Sequence, residues 1–169
     1  MRTAVVGHVE WAEFARVDHA PAAGEIAHAT DAWEEAAGGG GVAAVRLGEL
    51  ARDVTLFTAL GDDERGHRAK NELERLGVRV EAAWREEPQR RALVHIDATG
   101  ERTITTIGAR LKPSLSDPLP WERLTGIDAV YYTAGGVEVL RRSRSARVLV
   151  ATARELAVIA MAAVELDAL

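Results

Sequence analysis

The chain has 169 residues with 21 basic and 26 acidic side chains, a formal charge of -5, and is 47% hydrophobic and 28% charged. That length suffices for one domain with its own core, and the charge balance gives no electrostatic reason to expect a nucleic-acid or anionic-membrane partner. The absence of cysteine excludes disulfides, thiolate metal sites and Cys nucleophiles.

The start, MRTAVVGHVEW, lacks a basic segment followed by a long apolar run. Residues 3–7 (TAVVG) read as a first buried strand. From Glu10 to Trp33 the pattern loosens around the turn PAAGE, and two short exposed strands are expected there rather than core. Four glycines, Gly38 to Gly41, stand directly before an amphipathic helix whose apolar face carries Ala43, Leu47, Leu50 and Ala51. DVTLFTAL (53–60) is the next buried strand. After it, Asp62 or Asp63 can cap a helix with Ala69, Leu73 and Leu76 on its apolar face, ended by Gly77. Residues 78–83 form a further strand. This alternation predicts a parallel α/β sheet with right-handed crossovers.

The rhythm then breaks. Residues 91–97 and 101–108 alternate in polarity around a Gly-containing turn, which predicts a hairpin with one polar face, unsuited to the middle of a parallel sheet. Strands over 127–135 and 146–152, a short helix near 137–145 and a helix from about Arg154 to Val164 resume the α/β pattern. The apolar run Leu156 to Val164 is far shorter than the roughly 20 residues of a membrane span and reads as a buried helix face. No membrane partner and a cytoplasmic setting are therefore expected. The chain stops where a next strand should begin.

Ordering four consecutive glycines is entropically expensive, so they mark either a linker or a close approach of backbone. A linker should not run straight into a periodic helix. Gly39 to Ala44 also fit the G-x-G-x-x-A spacing of a dinucleotide turn, but that turn must follow the first strand, and DAWEEAA intervenes. The third reading is a glycine-lined helix N-terminus whose bare amides face a pocket for hydroxyl or anionic oxygen. Elsewhere, the five histidines are scattered without metal-ligand spacing, so no metal site is expected. Asp62 and Asp63 are explained by a helix cap, RRSRSAR (141–147) by a solvated face, and Ser143 and Ser145 lack a partner for nucleophilic chemistry.

The stretch GGGGVAAVRLGELARDVTLFTALGDDERG (38–66) resembles the first signature of the ribokinase-like (PfkB) carbohydrate kinases. AVVG at the start, PAAGE, the HIDATGERTITTIGA hairpin and VLVATAREL follow in the same order. The resemblance implies an α/β fold, a parallel central sheet flanked by helices with a small β lid. Residues 1–9, 38–84 and 121–169 would form the core, and 10–35 with 88–110 the lid. It implies transfer of the ATP γ-phosphoryl group to a hydroxyl of a sugar or nucleoside, with ATP and Mg2+ bound in the intact enzyme. The family's second signature, Asp-Thr-x-Gly-Ala-Gly-Asp, with its catalytic base and anion hole, does not occur in these residues. The expectation is thus a fragment holding the substrate platform and lid, inactive as a kinase by itself and binding neither cofactor strongly. The alternative is a non-catalytic sugar-binding or lid-mediated interaction module. Ala12 stands where the family's sugar-binding Asp is usual, and Val42 where its Asn is usual. Glu10, Glu13 and Gly38, Gly39, Gly40 and Gly41 are accordingly the expected contacts to a sugar, with a homodimer through the β lid as the partner expectation. An exposed apolar patch, with low solubility or self-association, is expected where the sheet and the 156–164 helix lack neighbours.

Overall fold

In chain order the elements are β1 (Arg2–Val6), β2 (Glu10–Arg16), β3 (Asp31–Ala37), α1 (Gly38–Ala51), β4 (Asp53–Gly61), α2 (Glu64–Arg75), β5 (Arg79–Arg85), β6 (Arg91–Ile96), β7 (Arg102–Ile107), β8 (Ala129–Tyr132), α3 (Val137–Ser143), β9 (Val148–Ala151) and α4 (Leu156–Ala162). The computed structural model describes residues 1–51 and 53–169. Five strands form a parallel sheet in the order β5-β4-β1-β8-β9. The other four form a mixed sheet in the order β3-β2-β6-β7, with β2 parallel to β6 and the outer pairs antiparallel.

The parallel strands are apolar on both faces because both faces are covered. Val5, Val54, Leu56 and Leu60 point into a core shared with Ala44 of α1 and Ala69 and Leu73 of α2. Ala4, Val6, Phe57 and Ala59 point the other way, onto Trp121, Leu124, and Val139 and Leu140 of α3. Asp63 caps α2 by accepting from Gly66 N–H at 2.9 Å, and Gly77 ends the turn after it with φ +86°.

Four expectations are corrected. Helix α1 starts at Gly38, so the glycines form its first turn rather than standing before it. Leu76 is 54% exposed because it forms the C-cap of α2, where the chain is already turning away. Strand β2 is not wholly exposed: Trp11 reaches the α1–α2 core, and Ala12 packs with Ala92 and Val94. The apolar run at 156–164 is not a buried face, since α4 buries Ala162 while Leu156 and Met161 stay exposed. That helix packs on α3, with Val158 and Ile159 partly buried against the core on that face. Where the chain was expected to stop short of a next strand, Ala168 makes one parallel bridge to Val150.

Gln89 fastens the two sheets together. Its side chain accepts from Gly61 N–H (3.0 Å) and donates to the Val9 carbonyl (2.8 Å), while its own N–H donates to Asp63 (2.9 Å). The second carboxylate oxygen of the α2 cap therefore also holds the segment leading into β6.

Candidate functional site

From β1 the chain proceeds through β4 to β5 in one direction, with α1 and α2 on one face. From β8 it proceeds to β9 in the other direction, with α3 on the opposite face. The order reverses between β1 and β8. In open α/β sheets the crevice at the carboxyl ends of such strands is where ligands bind. His8 follows β1, Thr133 follows β8, and Glu155 follows β9, so all three stand at that end. The mixed sheet begins there too, at Glu10.

Glu10 is held in a ring of polar groups. Its carboxylate lies 3.6 Å from His8 Nε2 and 3.1 Å from Arg90 Nε. The His8 ring holds the Glu10 carboxyl below its ordinary range against the opposing effect of burial, and the Arg90 and Arg110 guanidinium charges act in the same direction as His8. Arg110 donates to the buried Glu155 carboxylate at 2.9 Å and to the Thr133 carbonyl at 3.0 Å. Burial, with the charge of Glu155 second, pushes the Tyr132 phenol far above its ordinary value. His8 Nδ1, Arg90 Nε and Arg110 Nε are buried with no hydrogen-bond partner. Such orphaned polar atoms are uncommon in native interiors, and each calls for an explanation.

The glycines pack against this ring. Gly38, with φ +83°, brings the end of β3 so close to β2 that a Cβ would lie 2.9 Å from Glu10 N. Gly39 is exposed, and its N–H stands 3.5 Å from His8 Nε2. Gly40 N–H donates to the His8 carbonyl at 2.9 Å, so that amide is committed. Gly41 is buried beside Val9 and Leu73. What the four residues approach is therefore first the Gly7–Val9 crossover, and Gly39 carries the amide at the open rim. Glu13 lies three residues from Glu10, and strand alternation turns it to the opposite face, where Arg91 pairs with it at 2.8 Å. Glu10 and the glycines are brought together; Glu13 is not.

The remaining charged motifs have structural partners. Asp62 pairs with His67 at 2.9 Å and Asp63 caps α2, and no group of three potential metal-ligating side chains occurs among the described residues. Within 141–147, Arg142 donates to the Trp121 carbonyl and Arg144 pairs with Asp167, while Ser143 and Ser145 donate to backbone carbonyls. Sequence reading missed Arg90, Arg110 and Glu155. A signal for the arginines was present: they flank the 91–108 hairpin, and the two ends of a hairpin must meet.

The family model for pfkB family carbohydrate kinases matches residues 2–165. Among solved structures, the ribokinase of Cryptococcus neoformans var. grubii in complex with ADP is 24% identical (TM-score 0.69; 89% of this chain, 50% of that one). The Arabidopsis thaliana ribokinase complexed with ribose and ATP is 18% identical (TM-score 0.66; 89% and 52%). The adenosine kinase of Sinorhizobium meliloti is 16% identical (TM-score 0.72; 95% and 58%). The chain thus spans about half the length of the kinases it matches. Among curated proteins none matches. With the family model covering nearly every residue of a ribokinase-like α/β fold, the chain belongs to the pfkB family of carbohydrate kinases.

Proposed function

We propose that this chain is the substrate-holding part of a kinase that moves the ATP γ-phosphoryl group onto a hydroxyl of a sugar or nucleoside. The observation that carries this reading is the polar ring of His8, Glu10, Arg90 and Arg110 at the β1–β8 reversal, at the foot of the mixed sheet. Glu10 accepts from substrate hydroxyls, Gly39 offers an N–H at the rim, and Gly38, Gly40 and Gly41 permit the close approach. Glu13 fixes the mixed sheet through Arg91 rather than touching the substrate. That sheet acts as the lid, and its role is to exclude water from the hydroxyl. In such chemistry positioning and charge neutralisation supply most of the rate.

Among the described residues no group of three potential metal-ligating side chains occurs, and Asp62 and Asp63 are engaged with His67 and the start of α2. ATP and Mg2+ are assigned to the remainder of the family fold, together with the base that takes the hydroxyl proton. The 169 residues alone are therefore expected to bind substrate and to consume no ATP. A second reading, an interaction module working through the lid, is favoured by β7, which is exposed throughout and presents Ile104 and Ile107 on a free edge.

The test is calorimetric titration with ribose and adenosine beside an ATP-consumption assay. Saturable binding without turnover is expected. ATP consumption dependent on the sugar would overturn the predicted inactivity. Absence of binding, with a dimer that Ile104→Lys dissolves, would replace the substrate reading by the interaction one.

A further inference from the structure

Strands β2 and β6 pair from Trp11–Arg91 to Arg16–Ile96, so Glu10 and Arg90 stand one residue outside that ladder. Its last bond runs from Trp11 N–H to the Arg90 carbonyl at 2.9 Å. Ladders open most easily at their ends, and a pair placed there keeps its geometry only where something beyond the ladder holds both chains.

Gln89 supplies that hold. It is 2% exposed, and its amide spans the gap, accepting from Gly61 N–H at 3.0 Å and donating to the Val9 carbonyl at 2.8 Å. Gly61 N–H only donates and the Val9 carbonyl only accepts, so the two ends of the amide cannot be exchanged. Val9 and Gln89 are the chain neighbours of Glu10 and Arg90, whose ion pair is 3.1 Å long. The glycines of GDDERG serve the same contact. A Cβ on Gly61 would overlap Gln89 N and lie 2.8 Å from the Glu87 carbonyl oxygen, and one on Gly66 would overlap the Gly61 carbonyl oxygen. The motif thus seats residues 87–89 against the end of β4, and Asp63 fastens them there by accepting from Gln89 N–H at 2.9 Å. The parallel sheet is the fixed body, and the Gln89 side chain carries its position across to the start of β2.

We propose that Gln89 is a positioning residue of the polar ring: by spanning Gly61 and Val9 it holds Arg90 at Glu10, and so fixes the carboxylate that meets the substrate. This rests on the reading of the ring as the substrate site.

The test replaces Gln89 by two uncharged side chains, so that a change at Glu10 reports geometry rather than added charge. Gln89→Met keeps the length and loses both bonds. Gln89→Asn keeps the amide but is one carbon too short to reach both partners. The Glu10 carboxyl, followed by carbon NMR during acid titration, is held below its ordinary 4.5 in the parent, chiefly by His8, with Arg90 and Arg110 adding to it. In both variants its midpoint should rise toward that value. Whichever of ribose and adenosine the parent binds should bind about tenfold more weakly, the worth of one hydrogen bond. Leu140→Val, buried on the α3 face of the sheet, should lower the melting temperature and change neither readout. A lowered melting temperature in the Gln89 variants, with midpoint and affinity at parent values, would make Gln89 structural only and overturn the inference. A shifted midpoint with unchanged affinity would overturn its link to the substrate. No binding by the parent would overturn the reading beneath it, and the Glu10 midpoint alone would then decide whether Gln89 sets the pair. Two variants are used so that a folding defect in one leaves the other decisive.

Discussion

At Gly40 an added methyl group would fall 2.8 Å from the His8 carbonyl oxygen and 2.9 Å from the Gly7 carbonyl carbon, both backbone atoms that cannot step aside. Gly40→Ala should therefore cost about 1–3 kcal/mol as overpacking, read as a lowered urea midpoint. Gly136→Ala, with φ -100° and nothing within 4 Å of the new Cβ, should stay within about 0.5 kcal/mol of the parent. Equal midpoints for the two variants would remove the case for close approach. Glu10 gives a prediction with a sign. Its carboxyl is held below the ordinary 4.5 in the folded chain, chiefly by His8. The stability this adds is present above that value and is lost as pH falls through the lower, folded one. Glu10→Gln should flatten that part of the acid limb in melting curves taken from pH 6 downward. Asp128 and Asp167 are also held low, chiefly by the Arg2 and Leu149 backbone N–H groups, so the informative quantity is the difference between variant and parent. An unchanged acid limb would show that Glu10 is not held by this ring.

On the scale of elements, the cap of α2 also holds the mixed sheet, because Asp63 accepts from both Gly66 and Gln89 N–H groups. Asp63→Ala should cost about 2 kcal/mol or more in urea unfolding, the loss of a cap together with a stranded buried amide. Asp62→Ala, at an exposed pair with His67, should change stability by less than about 0.5 kcal/mol. Equal costs would mean that the capping residue has been misassigned. The parallel strands were legible because both faces are buried, so TAVVG and DVTLFTAL read as unbroken apolar runs. The 91–108 hairpin was legible from its alternation and turn. The inner half of β2 was not, because Trp11 and Ala12 are buried by elements far along the chain, α2 and β6, which no local window contains. Glu10 and the glycines could be picked out by their place after the first strand and before the first helix. Arg90 and Arg110 were signalled only as the two flanks of one hairpin, and Glu155 not at all, because what unites the three is the meeting of the loops after β5, β7 and β9. Glu13 looked equivalent to Glu10 in sequence, and strand alternation separated them.

For the molecule as a whole, one face of the parallel sheet ends in an apolar groove of about 360 Å³ lined by Ala43, Leu47, Leu50, Tyr131 and Val150, with Leu50 81% exposed. Such a surface favours association. The chain should therefore sediment with a concentration-dependent mass, and Leu50→Glu should shift it toward the monomer without lowering the melting temperature. A parent that stays monomeric at high concentration would contradict this. The mixed sheet has a different consequence, set by the order in which the chain is made. Its central pair, β2 with β6, joins residues far apart in sequence, and Gln89 reaches Val9 across 80 residues. At about 5–20 residues per second on a ribosome, β2 and β3 wait on the order of 4–16 s for β6 to emerge. Two strands alone are marginal, and their unpaired margin is a template for any other strand nearby. The nascent protein is thus most open to mispairing until Arg91–Ile96 have emerged, when pairing of that segment with β2 covers the waiting margin.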